Sequence, residues 1–432
     1  MFRNRFRWVV VALLFSITIV NYIDRSAISY AAPDISKALG FSSSEMGLVL
    51  GAFGLGYFAT TLVGGIATDK FGAKIVLGVA ALAWTLSIGL SGLAVGFVML
   101  YAARVGLGLA EGPSFPALTG AVGRWLPSGE RATALAGTLV AVPISLAIGA
   151  PLVSWMITVA GWRPMFFLLT GLGLLWLPLW FWLFRDDPAA SPHVSVTERK
   201  LIAESTAKRP LARPANERSL IRIVFATPTL LSNYWAFFVF GYFLFFFLTW
   251  MPSYLHDTFG LKIITVGFLA AIPWLTSALA MLAVGRVSDR ILQRTGRLRL
   301  SRSVPIAATQ AVAAIAVIPI ALIDNLVVSM VGLTIAVAAT LAANAAYFAV
   351  NIDLLPRHAA PALGVMDAAF AAAGFFAPVI TGFVYHGTDS FLAAFILMAI
   401  LAISSVAAVL LFHHPDRDRE SLQYAAPPPP TP

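Results

Sequence analysis

Apolar runs of about 18–25 residues, the length that crosses a bilayer as helix, alternate along the chain with short polar breaks. This pattern predicts twelve membrane spans, over 8–32, 45–66, 75–94, 97–121, 132–157, 164–184, 228–256, 263–284, 303–323, 326–350, 362–385 and 391–412. Only one polar stretch is long, "RDDPAASPHVSVTERKLIAESTAKRPLARPANERSLIRIVF" at 185–225, and it divides the spans six and six. The expected organisation is a six-helix bundle over 1–184, a linker over 185–225, a second six-helix bundle over 226–412 and a tail over 413–432. The fold class is all-α, polytopic and membrane-embedded.

Composition sharpens this picture. Hydrophobic residues make up 59% of the 432 and charged residues 11%, where a soluble domain carries about 25% charged. The net charge of +9 does not indicate nucleic acid, because the cations gather in every second loop. Arg3, Arg5 and Arg7 precede the first span, Lys70 and Lys74 follow the second, and Arg124 and Arg131 follow the fourth. Six arginines fill "GRVSDRILQRTGRLRLSR" after the eighth, whereas the alternate loops hold only Lys37, Arg163 and Lys262. The positive-inside bias then places both termini and the linker in the cytoplasm, with the chain in the plasma (inner) membrane. "MFRNRFR" has the look of a signal-peptide start. The apolar run nevertheless continues to Tyr30 with no small-residue cleavage site, so a retained first helix is expected. With no cysteine, disulfides and thiol chemistry are excluded. The "PPPPTP" tail reads as disordered or extended by composition.

The two halves repeat one plan. "GIATDKFGAK" (65–74) follows the second span and "GRVSDRILQRTGR" (285–297) the eighth. Each places an Asp four residues after the Gly and a cation next to it: Asp69 with Lys70, Asp289 with Arg290. An Ala-Pro step follows in each half, at Pro151 and Pro378, 82 and 89 residues beyond the Asp. Such a repeat implies a pseudo-twofold axis along the membrane normal.

These loops resemble the signature of the major facilitator superfamily. Further segments resemble its anion:cation symporter family: "NYIDR", "ARVGLGLAEGPSFPA", "RWLPSGERATA", "GWRPMFFLLTGLGLLWLPLWFWLFRDDP", "SVTERKLI" and "FFLTWMPSYL". The resemblance covers essentially the whole chain. It implies proton-coupled import of a sugar acid or other organic carboxylate, with protons as the coupling ion, no cofactor or metal, no enzyme activity and a monomeric transporter. A lysolipid-transporter family shares the "NY-x-DR" start but not the later segments. Export or exchange of amphipathic compounds is the alternative within transport, and a non-transporting sensor of such anions the alternative outside it.

Candidate chemistry starts at "VNYIDRSAIS". A charge at the bilayer centre costs about 2.5–3.5 kcal/mol on insertion scales, yet Asp24 and Arg25 stand side by side at that depth. Their side chains diverge by about 100° on a helix, so they do not simply neutralise each other. Arg25 offers a planar fork of donors to a carboxylate, the role that the resemblance implies for it. Arg104 and Glu111, two turns apart on the fourth span, share a face, and Arg104 is expected to pair with Asp24 or Glu111. Glu111 sits among small and apolar neighbours in "LGLAEGPSFP", and the resemblance points to it and to Asp24 as proton-coupling residues. Tyr22, Tyr57, Tyr347 with Asn344, and Tyr242 are candidate substrate contacts. Asp367 on the eleventh span stands where the family commonly has an amide, and Val142 and Pro143 replace polar residues typical of the fifth. Both departures suggest a less hydroxylated carboxylate, or a substrate carrying a donor group. Asp69, Lys70, Arg131, Asp289 and Arg290 are the expected cytoplasmic gate, with Asp69 capping a helix or pairing with an Arg such as Arg131. His413–His414 reads as a surface pair.

Overall fold

A computed structural model of the protein describes residues 5–206, 223–355 and 359–424. Arg3, linker residues 207–222 and the tail from 425 lie outside the described residues. Within them the chain is helical, and ten helices are long and apolar enough to cross a membrane. The first half runs α1 (Phe6–Leu39), α2 (Ser43–Gly92), α3 (Phe97–Glu111), α4 (Ser114–Trp125), α5 (Ser128–Ala160) and α6 (Trp162–Leu183), followed by the linker helix α7 (Val196–Thr206). The second runs α8 (Pro228–Thr249), α9 (Met251–Phe259), α10 (Ile263–Thr295), α11 (Val304–Leu322), α12 (Leu326–Ala342), α13 (Asn344–Leu354), α14 (Ala359–Thr388) and α15 (Leu392–Phe412), with a tail helix α16 (Pro415–Tyr424). The expected second and third spans both lie on α2. They separate at Gly72, whose φ of +82° belongs to the left-handed region that glycine tolerates. A Cβ there would also come within 2.5 Å of the Asp186 carboxylate. The fourth span is broken at Gly112–Pro113 and the tenth at Ala343, so the fourth helix of each half is interrupted.

Two compact units can be traced. The first comprises Met1–Leu211, Phe246–Leu275 and Gly374–Asp389; the second Ala212–Phe245, Thr276–Ala373 and Ser390–Pro432. In the first unit, α2 meets α3 through reciprocal glycines. A Cβ on Gly56 would strike the Val105 carbonyl, and one on Gly108 the Phe53 carbonyl. This close approach sets Phe53 and Tyr57 against the face of α3 that carries Arg104. The N-terminal part of α2 also packs on the Gly374–Asp389 segment through Gly47, Gly51 and Gly54, each backed by backbone or Val379.

The linker is anchored in this unit. Buried Glu198 accepts from the backbone N–H of Phe6 and of Arg7, both at 3.0 Å, and from Arg7 Nη1 at 3.0 Å. Arg7 also donates from Nε and Nη2 to Glu130, at 2.7 and 2.9 Å. The free N–H groups of a helix start favour an anion, and α7 of the linker brings one to α1. Glu198→Ala would leave Arg7 and the α1 start short of an acceptor. The expected result is a loss of about 3 kcal/mol, read as a lowered thermal midpoint in detergent.

In the second unit the tail folds back on the bundle. Asp416 accepts from the Leu298 and Arg299 amides at 2.7 and 2.8 Å, and Asp418 from Thr229 N and Oγ1 at 3.2 and 2.7 Å. His413 is buried with Nδ1 2.6 Å from Ser303 Oγ, which corrects the surface expectation for this residue. The two aspartates of "HHPDRDRE" fix the tail. Burial pushes the His413 imidazole down to about 3, with Asp418 opposing and His414 and Arg299 adding to the shift. His413 is therefore neutral when docked. Its contribution is complete above the ordinary histidine pKa of about 6.5 and is lost as pH falls towards 3. By pH 5 the docked tail is expected to lose about 2 kcal/mol, measured as tail proteolysis against pH, and His413→Gln should flatten that profile.

Candidate functional site

The buried charges of the first unit converge on α1. Asp24, Arg25, Arg104 and Glu111 are 1, 3, 1 and 1% exposed, two acids against two bases. Asn21, Tyr22 and Arg25 lie three and four residues apart on α1, hence on one face. The Arg25 guanidinium carbon lies 4.5 Å from the Tyr22 and Phe53 ring centres and 5.3 Å from that of Tyr57. Phe53 and Tyr57 stack on each other at 5.5 Å. Three aromatic faces thus hold the cation by its quadrupole attraction while leaving the guanidinium edge to carboxylates.

That edge faces Glu111. Arg25 Nε and Nη2 both donate to Glu111 Oε2, at 3.0 and 2.6 Å, and Nη2 reaches Asn21 Oδ1 at 3.4 Å. Glu111 is the last residue of α3, directly before the Gly112–Pro113 break. The other Glu111 oxygen, both Asp24 oxygens, and Nε and Nη1 of Arg104 have no hydrogen-bond partner among the described residues. Arg104 makes no ion pair with Asp24 or Glu111 and lies instead 5.6 Å from the Phe53 ring. Arg25 has taken the carboxylate that sequence spacing offered to Arg104. The chemistry available is an exchange: a guanidinium that can swap one carboxylate for another, beside carboxyls able to accept a proton.

The candidates of the second unit are placed differently. Tyr347 is fully buried, its hydroxyl accepting from Gln310 Nε2 at 2.8 Å and its carbonyl from Asn233 and Asn351 at 3.1 and 2.9 Å. Tyr242 is likewise buried. Asn344 opens α13 after the break at Ala343. Asp367 is half-buried on α14 with no ion pair or hydrogen bond among the described residues. In the first unit, Val142 is half-buried on α5 beside Pro143.

The gate residues fall in separate settings. Asp69 is exposed and makes no ion pair among the described residues. Arg131 turns its Nε to the Leu126 carbonyl at 2.8 Å, at the end of α4, and the Lys70 ammonium sits 5.2 Å from the Phe71 ring. Asp289 bonds Arg302 Nη1 at 3.1 Å, and Arg302 Nε reaches Asp353 at 3.1 Å. Arg290 is exposed. Phe53, Asn21, Arg302, Asp353 and Glu198 escaped the sequence reading. Three of them lie in segments that stood out, Asn21 in "NYIDR", Arg302 at the end of "GRVSDRILQRTGRLRLSR" and Glu198 in "SVTERKLI", whereas Phe53 and Asp353 carried no signal.

A family model described as Major Facilitator Superfamily matches residues 14–360. The chain is 32% identical over 409 residues to a hexuronate transporter of Bacillus subtilis (strain 168), covering 94% of each. It is 29% identical to a probable sulfoacetate transporter of Cupriavidus necator, over 98% of this chain and 99% of that one. A probable L-galactonate transporter of Escherichia coli (strain K12) is 29% identical over 96% of this chain and 91% of its own. Among solved structures, a bacterial homolog of the human lysosomal transporter Spinster shares the fold, with TM-score 0.71, 17% identity and coverage of 98% and 97%.

Proposed function

The chain belongs to the Major Facilitator Superfamily and is a membrane transporter, not an enzyme; we propose that it imports a small organic carboxylate together with protons. The observation that carries this reading is the buried Arg25–Glu111 pair inside its aromatic box. An ionised Glu111 competes with any incoming anion for Nε and Nη2 of Arg25. A proton on Glu111 ends that competition, so proton and substrate bind with positive coupling. Asp24 offers a second proton position. The substrate carboxylate then takes the place of Glu111 on Arg25, and the loaded site carries little net charge as the halves rock. Hexuronate and sulfoacetate, the cargoes in the names of two relatives, both carry a carboxylate and differ in hydroxylation, which fits an arginine anchor and leaves selectivity to other residues.

The arginine-rich loops support an orientation with both termini in the cytoplasm and residence in the inner membrane. The glycine contacts of α2 with Gly374–Asp389 are of the kind that must part and re-form during alternating access. The test is uptake into proteoliposomes. An imposed inward proton gradient is expected to drive accumulation of a carboxylate substrate. Binding without uptake would identify a sensor, and accumulation only under an outward gradient an exporter.

Selectivity is expected to follow Asp367 and Val142. Less hydroxylated carboxylates should stabilise the protein more than galactonate-like polyols by about tenfold in affinity, or about 1.4 kcal/mol, in a thermal-shift screen. The largest shift coming from a sugar acid would show that these two positions do not set selectivity.

A further inference from the structure

The eighth span, α10, leaves its apolar stretch with a stripe of arginines. From Ile263 to Gly285 the helix rises about 33 Å at 1.5 Å per residue, and a bilayer core is about 30 Å thick. Leu279 and Leu282 on this stretch are 64 and 37% exposed, the surface that a membrane helix turns to acyl chains. Arg286, Arg290 and Arg294 continue the same stripe at steps of four, all exposed. At 100° per residue, these five side chains fall within an arc of about 120°.

The arginines have no acid of their own. Asp289 and Asp353 are bonded to Arg302, and Asp416 caps the Leu298 and Arg299 amides. Arg286, Arg290 and Arg294 make no ion pair among the described residues. In the corresponding loop of the first half, Asp186 accepts from the Lys74 amide, and the same carboxylate pairs with Arg124 of the loop after the fourth span.

We propose that Arg286, Arg290 and Arg294 bind the headgroup phosphates of anionic phospholipids where α10 leaves the bilayer, with the acyl chains lying on Leu279 and Leu282. The stripe supplies both halves of such a ligand in the right order along one helix face. Basic side chains next to a membrane span are attracted to anionic headgroups, and the attraction is screened by salt. This surface is independent of the Arg25 site, so the test does not require transport.

Full-length protein in detergent is titrated with phosphatidylglycerol and with phosphatidylcholine, and binding is followed by native mass spectrometry. The wild type is expected to prefer phosphatidylglycerol by roughly tenfold or more at about 50 mM salt, and to lose most of that preference at about 500 mM. The triple variant Arg286→Gln, Arg290→Gln, Arg294→Gln should bind the two lipids alike, while the triple Lys variant keeps the preference. Inorganic phosphate at equal concentration should not displace phosphatidylglycerol, because it lacks the chains that lie on the leucines. Should the Gln variant fail to fold, the wild-type salt series and the Lys variant still decide. A wild type without preference, a Gln variant that keeps it, or displacement by inorganic phosphate overturns the proposal.

Discussion

Glu111→Gln is expected to abolish proton-driven accumulation while substrate exchange continues. The carboxylate that now holds Arg25 through Oε2 becomes a neutral amide of nearly the same shape. It competes poorly with an anion and carries no titratable proton, so it resembles the protonated state permanently. Substrate binding and counterflow should therefore match the wild type or exceed it. Accumulation under an imposed pH gradient should fall at least tenfold, to the level set by the substrate gradient alone. Removing one partner of a buried ion pair is destabilising by about 3–5 kcal/mol when the other charge is left unmet. The amide oxygen still accepts one bond from Arg25, so a smaller loss is expected, and both assays are compared at equal reconstituted amounts. If the variant still concentrates substrate on proton drive, the Arg25–Glu111 pair is a fixed tie between α1 and α3. Coupling would then have to pass through Asp24.

Arg25→Lys should reduce transport about a hundredfold in a protein that still folds. Two donors of one planar group reach the same oxygen, at 3.0 and 2.6 Å, and the guanidinium carbon lies 4.5 Å from the Tyr22 and Phe53 ring centres. An ammonium keeps the charge but has neither the fork nor the flat face. Losing one charge-assisted hydrogen bond and part of the stacking amounts to about 2–3 kcal/mol, or about two decades in affinity. The measurement is initial uptake at matched membrane abundance, with a thermal midpoint to confirm folding. Uptake at the wild-type rate would remove Arg25 from the substrate contact. Combining the change with Glu111→Gln should give a non-additive result, since both act on one bond.

Much of this architecture is written locally along the chain. Runs of apolar residues have only one low-energy solution in a bilayer, because helices satisfy their own backbone. All twelve expected spans consequently lie on helical segments. The charged pair at 24–25 and the acid at 111 were visible for the same reason: charge within such runs is costly enough to stand out.

What the sequence could not supply was which charge meets which. Spacing on α3 offered Glu111 to Arg104, since seven residues make two turns, but spacing along one helix says nothing about the helix beside it. The glycine contact between Gly56 and Gly108 accompanies the placing of the Phe53 and Tyr57 rings beside Arg25, with Arg104 5.6 Å from the Phe53 ring. The Tyr347 hydroxyl meets Gln310, 37 residues earlier, a partner that spacing along α13 did not reveal. Glu198 was part of a recognisable motif, yet its partners, the amides of Phe6 and Arg7, lie more than 190 residues away. His413 read as a surface residue, yet it is buried against Ser303 where α16 returns onto Thr229 and Arg299. The sequence alone determined the helices, their repeat and the presence of the intramembrane charges, because burial in lipid is a local and severe constraint. The pairing of Arg25 with Glu111, the isolation of Arg104 and the docking of linker and tail were decided by tertiary structure, since each depends on contacts between segments distant in the chain.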